Sequence, residues 1–461
     1  MSDPPTRRFP PRPAWLRTAA LAGLALAAGT GCLERARLPE GADFGPDPQL
    51  VAPAPRWIPT VEVAEAVGWP DGAHPTPAPD LAVTRFADRL DHPRWLQVLP
   101  NGDVLVAESN RPAKPPGTGG GGVRAWVMDK LQARAGARTP SADRITLLRD
   151  QDGDGVAETR SVFLDRLHSP FGMALVGNDF YVANTDAVVR YDYRPGATRI
   201  EGAGTRLVEL PAGPRNHHWT KSLIASPDGR TLYATVGSNS NAGEHGLAEE
   251  QGRAAIWAID RQSGAHRIFA AGLRNPNGMA WALPGPTLWT VVNERDEIGS
   301  DLVPDYLTSV VDGGFYGWPY SYFGSHVDRR VAPPRPDLVA RALKPDYALG
   351  AHTASLGLAY AAGDHGGADP AIRGALPAPF RAGMFVGQHG SWNRRPLAGY
   401  KVIFIPFEDG RPSGRPRDVL TGFVDADGNA RGRPVGVAFD RAGALLVADD
   451  VGNAVWRVSA R

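Results

Sequence analysis

The chain has one cysteine, Cys32. Without a second thiol there is no intramolecular disulfide, and the lone thiol needs an explanation of its own. Charge of one sign is also lacking: 50 Lys and Arg stand against 49 Asp and Glu, so nothing argues for a nucleic-acid partner or an acidic substrate. The apolar run "TAALAGLALAAGTGC" is too short to span a bilayer comfortably. No haem attachment motif is present. The acidic stretch "RDQDGDGVAETR" at 149–160 lacks the flanking helix pair of an EF-hand.

What is there begins with Arg7, Arg8, Arg12 and Arg17 ahead of that apolar run, the layout of a secretory signal. The segment resembles a bacterial lipoprotein signal, with Cys32 as the lipidated residue after Gly31, although Gly29 stands where Leu is usual. The expectation is an exported protein, periplasmic or anchored to the outer membrane through Cys32. Residues 1–32 then form the signal, and the Pro- and Ala-rich residues 33–80 an extended tether. Residues 81–461 form the folded domain.

Within that domain one local pattern returns six times, a small-residue entry, a short apolar strand, a turn and a second apolar strand. The instances are "WLQVLPNGDVLVAES" at 95, "FGMALVGNDFYVANT" at 171, "SLIASPDGRTLYATVGS" at 222, "NGMAWALPGPTLWTVVNE" at 277, "LGLAYAAGDHGG" at 356 with "AGMFVGQHGS" at 382, and "VGVAFDRAGALLVADD" at 435. Turns such as "PNG" and "PDG" suit hairpins. Recurrence at this period is the signature of radially repeated sheets, so the sequence predicts an all-β, six-bladed β-propeller. The inner strand of each blade would line a central channel. Just ahead of those strands stand "HPRW" (92), "HSPF" (168), "NHHWTK" (216), "RNPN" (274), "HTAS" (352) and "RGRP" (431), with His or Arg in all six. Turn formers alone would satisfy a blade there, so one mouth of the channel is the expected site.

Two motifs carry chemistry of their own. Asp150, Asp152 and Asp154 alternate before Gly155 and Glu158, a spacing that can wrap calcium as a brace between strands or serve as an Asp-rich surface turn. In "PRNHHWTKS" the pair His217 and His218 can supply a base near neutral pH, or be two half-exposed loop histidines. The "GTGGGG" run within 114–122 follows prolines rather than a strand and reads as a loop. Residues 123–138 read as a short helix with Lys130, Arg134 and Arg138 on a solvated face.

Taken in order, "NHHWTKSL", "GLRNPNGMAW", "GGFYGWP", "HTASLGL", "GQHGSWNR" and "RGRPVGVAF" resemble the pyrroloquinoline quinone (PQQ)-dependent sugar dehydrogenases, in particular the sorbosone dehydrogenase-like branch, over about residues 85–461. The resemblance implies oxidation of a sugar-like alcohol or aldehyde with PQQ and calcium, and an external electron acceptor. It implies His218 as the base, and Arg274, Asn275, Asn277 and His352 as cofactor contacts. Arg431 and Arg433 would be the basic pair under the quinone's carboxylates, and the backbone carbonyls of Glu294, Arg295 and Asp296 the calcium ligands. Ser238 stands where the glucose-oxidising members carry an Asp beside the base. Two other readings remain open, a calcium-dependent lactonase and a non-catalytic binding module.

Overall fold

Apolar residues alternating with polar ones, punctuated by Asp- and Gly-bearing turns, fit a pleated surface buried on one side. In "SPDG", for example, Asp228 accepts hydrogen bonds from Ser226 Oγ and the Arg230 amide, and the Gly229 amide closes the turn on the Ser226 carbonyl. The computed structural model describes residues 34–56, 60–113, 130, 133–136, 139–282, 285–362 and 376–461. Its sheets form the six blades that the recurrence predicts. The inner strands are Pro93–Val98, Met173–Val176, Leu223–Ala225, Asn275–Ala282, Ser355–Ala362 and Pro434–Phe439. Each packs on the next, and the last packs on the first.

Strand Leu81–Ala87 closes the ring by pairing with Ala454–Ala460, so the last blade is built from both ends of the domain. Closure leaves no inner edge exposed. The glycine that recurs at four of the six inner strands, at 172, 278, 357 and 436, has a steric reason. A Cβ at Gly278 would sit 2.6 Å from the Leu358 amide nitrogen, and one at Gly357 would strike the Val435 carbonyl. Inner strands converge backbone against backbone near the axis, where only glycine fits.

Residues 34–80 depart from the expected extended tether. Phe44–Gly45 adds to the edge of strand Tyr347–Ala351, and Thr76–Pro77 to Arg417–Thr421. The Glu34 carboxylate accepts from the Ser300 amide and hydroxyl, and Trp69 Nε1 donates to Asp449 at 2.7 Å. A Pro-rich segment cannot build a core of its own, but it can satisfy the unpaired backbone that outer strands present. The signal segment with Cys32, the loop 114–122 and most of the segment 123–138 lie outside the described residues. No helix among the described residues is long and apolar enough to cross a membrane.

Candidate active site

A cavity of about 980 Å³ opens at the end of the channel where the inner strands begin. Antiparallel order brings two loops of each blade to this face, the entry to the inner strand and the exit from the second strand. His218, Arg274, Asn275, Glu294, Asp296, His352 and Arg433 all line it. Asn277, Arg295 and Arg431 do not.

His218 enters ahead of strand Leu223–Ala225. Its Nδ1 lies 2.8 Å from the Ser238 carbonyl and 3.1 Å from Ser238 Oγ. That hydroxyl donates to the Ser240 carbonyl, so the backbone carbonyl takes the Nδ1 proton and Nε2 is left as the acceptor. Among the described residues no carboxylate backs this ring, as the serine at 238 implies. His217 packs edge to face against it with centroids 4.5 Å apart. Both rings line the cavity, His217 exposed at its mouth and His218 half-buried. Burial, followed by Arg274 and Arg111, pushes the His217 pKa down to about 4. Burial and the neighbouring His217 hold His218 well below its usual range. The buried amine of Lys221 approaches the His218 and Trp219 carbonyls from below.

On the next wall Asp296 is clamped between two cations. Arg274 Nη2 and His352 Nδ1 each lie 3.1 Å from one of its oxygens, and His352 Nε2 lies 2.9 Å from the Gly299 carbonyl. Burial disfavours the charged His352, but the Asp296 carboxylate and the Gly299 carbonyl hold its pKa above the ordinary value. His352 has φ 61°, a left-handed backbone that its two ring contacts hold in place.

Two of the three carbonyls assigned to calcium, those of Glu294 and Asp296, already accept hydrogen bonds. Arg274 Nη1 donates to the Asn293 and Glu294 carbonyls, and the Asp296 carbonyl accepts from Asn241 Nδ2 and Arg330 Nη1. Oxygens of Glu294 and Asp296 that face guanidinium and amide donors do not fit a divalent cation. The Arg295 side chain turns into the protein, where it pairs with Glu294 and Asp328. Among the described residues, the one group of three or more metal-ligand side chains within reach of each other is Asp150, Asp152, Asp154 and Glu158, whose ligand atoms lie within 4.8 Å. That loop joins strands Arg144–Arg149 and Thr159–Leu164, which places it on the face opposite the cavity.

The third wall is basic. Arg433 is 5% exposed and spends donors on the Ala64 carbonyl and Tyr400 Oη, yet its Nε has no partner. Among the described residues no carboxylate lies within ion-pair distance of it. Arg94, from the first inner strand, lies over Phe171 and Trp219, is paired to Asp450 and also has an unpartnered Nε. Asp450 further accepts from His389 Nε2 at 2.8 Å. Arg431 is a correction: it is half-buried outside the cavity, its amide on the Phe423 carbonyl. Asn277 is another, because its buried amide braces Thr220 and the Asn275 carbonyl instead of facing a ligand. Sequence reasoning assigned no role to Arg94, His389 or Asp450, although "HPRW", "GQHGSWNR" and "VADD" contain them.

A protein-family profile described as TrAA12-like matches residues 142–305 and 339–461. A PQQ-dependent pyranose dehydrogenase of Coprinopsis cinerea is 25% identical over 273 residues, covering 50% of this chain and 35% of that protein. The chain thus spans about a third of that relative's length. Two solved structures share the fold. The holo PQQ domain of the Coprinopsis cinerea pyranose dehydrogenase is 20% identical with a TM-score of 0.65, covering 86% of this chain and all of that one. The calcium structure of the Trichoderma reesei Carbohydrate-Active Enzymes Family AA12 protein is 17% identical with a TM-score of 0.66, covering 87% of this chain and 99% of that one. With most of the propeller inside the matched segments, the chain belongs to the TrAA12-like family, among the PQQ-dependent sugar dehydrogenase-like proteins.

Proposed function

We propose that this protein oxidises a sugar-like alcohol or aldehyde, with PQQ bound in the cavity and electrons passed on to an external acceptor. The observation that carries this reading is Arg433, a buried guanidinium without a carboxylate partner and with an unpartnered Nε. A buried unpaired charge costs several kcal/mol, roughly, unless an anion arrives to meet it. PQQ is a tricarboxylate, and planar guanidinium groups suit carboxylates. Arg433 and Arg94 would hold its carboxylates, and Asn275 lines the same space. When bound, the quinone supplies the hydride acceptor. His218 Nε2 would take the substrate's hydroxyl proton. The lactonase reading loses support, because the cavity carboxylates of Glu244, Glu294, Asp296 and Asp305 all accept from protein donors.

Titrating the purified protein with PQQ, followed by the quinone's absorbance, tests the reading. Saturable binding at one cofactor per chain is expected, and no binding at micromolar PQQ would sink it.

A second expectation concerns pH. His218 is held well below 6.5, so its Nε2 stays unprotonated across the neutral range. The acid limb of kcat/KM is therefore expected below pH 6.5, and a limb at or above pH 7 would remove His218 as the base.

We also propose that Asp150, Asp152, Asp154 and Glu158 bind calcium as a structural brace. Calcium at a hundred times its Kd adds about 2.7 kcal/mol to stability. The unfolding midpoint should rise with calcium in the wild type and stay fixed in a protein carrying Asp152→Asn and Asp154→Asn. Equal responses would leave the loop as a surface turn.

A further inference from the structure

Two of the histidines that line the cavity, His218 and His389, are backed differently. His218 donates to a carbonyl, so a proton arriving at Nε2 would make an imidazolium with no counter-charge, beside His217 at 4.5 Å. His389 leaves the second strand of the fifth blade and directs Nε2 at Asp450, 2.8 Å away. Asp450 is itself buried and also contacts Arg94 and His92. This carboxylate fixes the Nε2–H tautomer and leaves Nδ1 as the free acceptor. The imidazolium formed there would have an anion at hydrogen-bond distance, which His218 lacks.

Oxidising an alcohol releases a hydride and a proton, and the proton needs a site in the cavity until the electrons leave. We propose that His389, with Asp450 behind it, is the group that holds this proton while the site is reduced. The proposal rests on the functional reading above. In balance, the substrate O–H bond breaks and its proton comes to rest on His389 Nδ1. The C–H electron pair leaves with its hydrogen as hydride to the quinone, and the substrate keeps a C=O bond. His389 is a proton-holding residue here, distinct from the base that first draws the proton.

The charges facing His389 set the direction of coupling. Burial, Arg433 and Arg94 disfavour its protonation, and Asp450 favours it, with His92 on the far side of Asp450. In the oxidised site the balance leaves His389 below its usual pKa. Two electrons arriving in the cavity add negative charge and tip it toward protonation.

The test is the midpoint potential of the PQQ-loaded protein as a function of pH. In the wild type the slope should steepen from below pH 6.5 upward, by about one extra proton per electron pair. In His389→Gln, shown by absorbance to be loaded with PQQ, the steepening should vanish, whereas His218→Gln should keep it. Steepening that survives in His389→Gln, or that disappears in His218→Gln instead, overturns the proposal. If His389→Gln does not fold, proton uptake on reduction of the wild type, counted with a pH indicator, decides. One proton more than free PQQ takes up supports the proposal, and an equal count overturns it. A wild type that takes up no PQQ brings down the functional reading as well. A loaded wild type without the extra proton brings down this inference alone.

Discussion

Arg433→Met is expected to weaken PQQ binding by roughly 30- to 4000-fold, while Arg431→Ala leaves it unchanged. Removing one partner of a buried, hydrogen-bonded charge pair costs about 2–5 kcal/mol, and each 1.4 kcal/mol is about tenfold in affinity. Arg433 qualifies because it is buried in the cavity wall with a donor to spare. Arg431 does not, because it lies outside that wall. The same substitution carries a second expectation of opposite sign. In the ligand-free protein Arg433 is a cation without an ion-pair partner, eased only by Tyr400, whose ring centroid is 5.0 Å away, and two oxygens. Replacing it by an apolar side chain of similar length should not lower the unfolding midpoint of the empty protein. Absorbance titration and denaturant unfolding of the same two variants check both expectations. Equal losses of affinity at 431 and 433 would refute the assignment of the basic wall.

The blades were legible because each repeats the same physical solution. In four of the six a glycine stands where inner strands touch, apolar residues alternate along the strands, and an Asp- or Gly-bearing turn reverses the chain. His218, Arg274, His352 and Arg433 were legible because each stands at the entry to an inner strand, a position the repeat marks. Arg94 stands there too, in "HPRW", but one arginine among six basic entries carries no sign of which cation will lack a partner. His389 and Asp450 lie at the other set of mouth loops, the exits from second strands, where the sequence shows only the end of an apolar run. Their meeting is set by the packing of the fifth blade against the sixth, which no local pattern encodes. The wrap of residues 34–80 was hidden for a related reason, since its partners are the backbones of distant outer strands and not side chains of its own.

The misread residue that matters most to stability is Arg295. Its position next to Asp296 suggested a backbone role at a metal, but its side chain is fully buried and holds three elements together. Nε lies 3.1 Å from Glu294, Nη1 lies 3.0 Å from Asp328 and 3.1 Å from the Pro319 carbonyl, and Nη2 reaches the Ser321 carbonyl at 2.7 Å. Tyr322 packs beneath the guanidinium. In Arg295→Met, Asp328 keeps Arg330 at 2.7 Å, but Glu294 would become a buried carboxylate without a cation, its Oε1 already unpartnered. Breaking such a pair from one side costs about 3–5 kcal/mol, a large part of a stability that is itself about 5–15 kcal/mol. Denaturant unfolding of the empty protein should register that loss. Adding Glu294→Gln to Arg295→Met removes the stranded charge and should restore part of it, which makes the two substitutions non-additive. A loss below about 1 kcal/mol in the single variant, or no recovery in the double, would mean that the pair does not brace this wall. The Asp296 clamp and the Arg274 contacts would then have to be held by the inner strands alone.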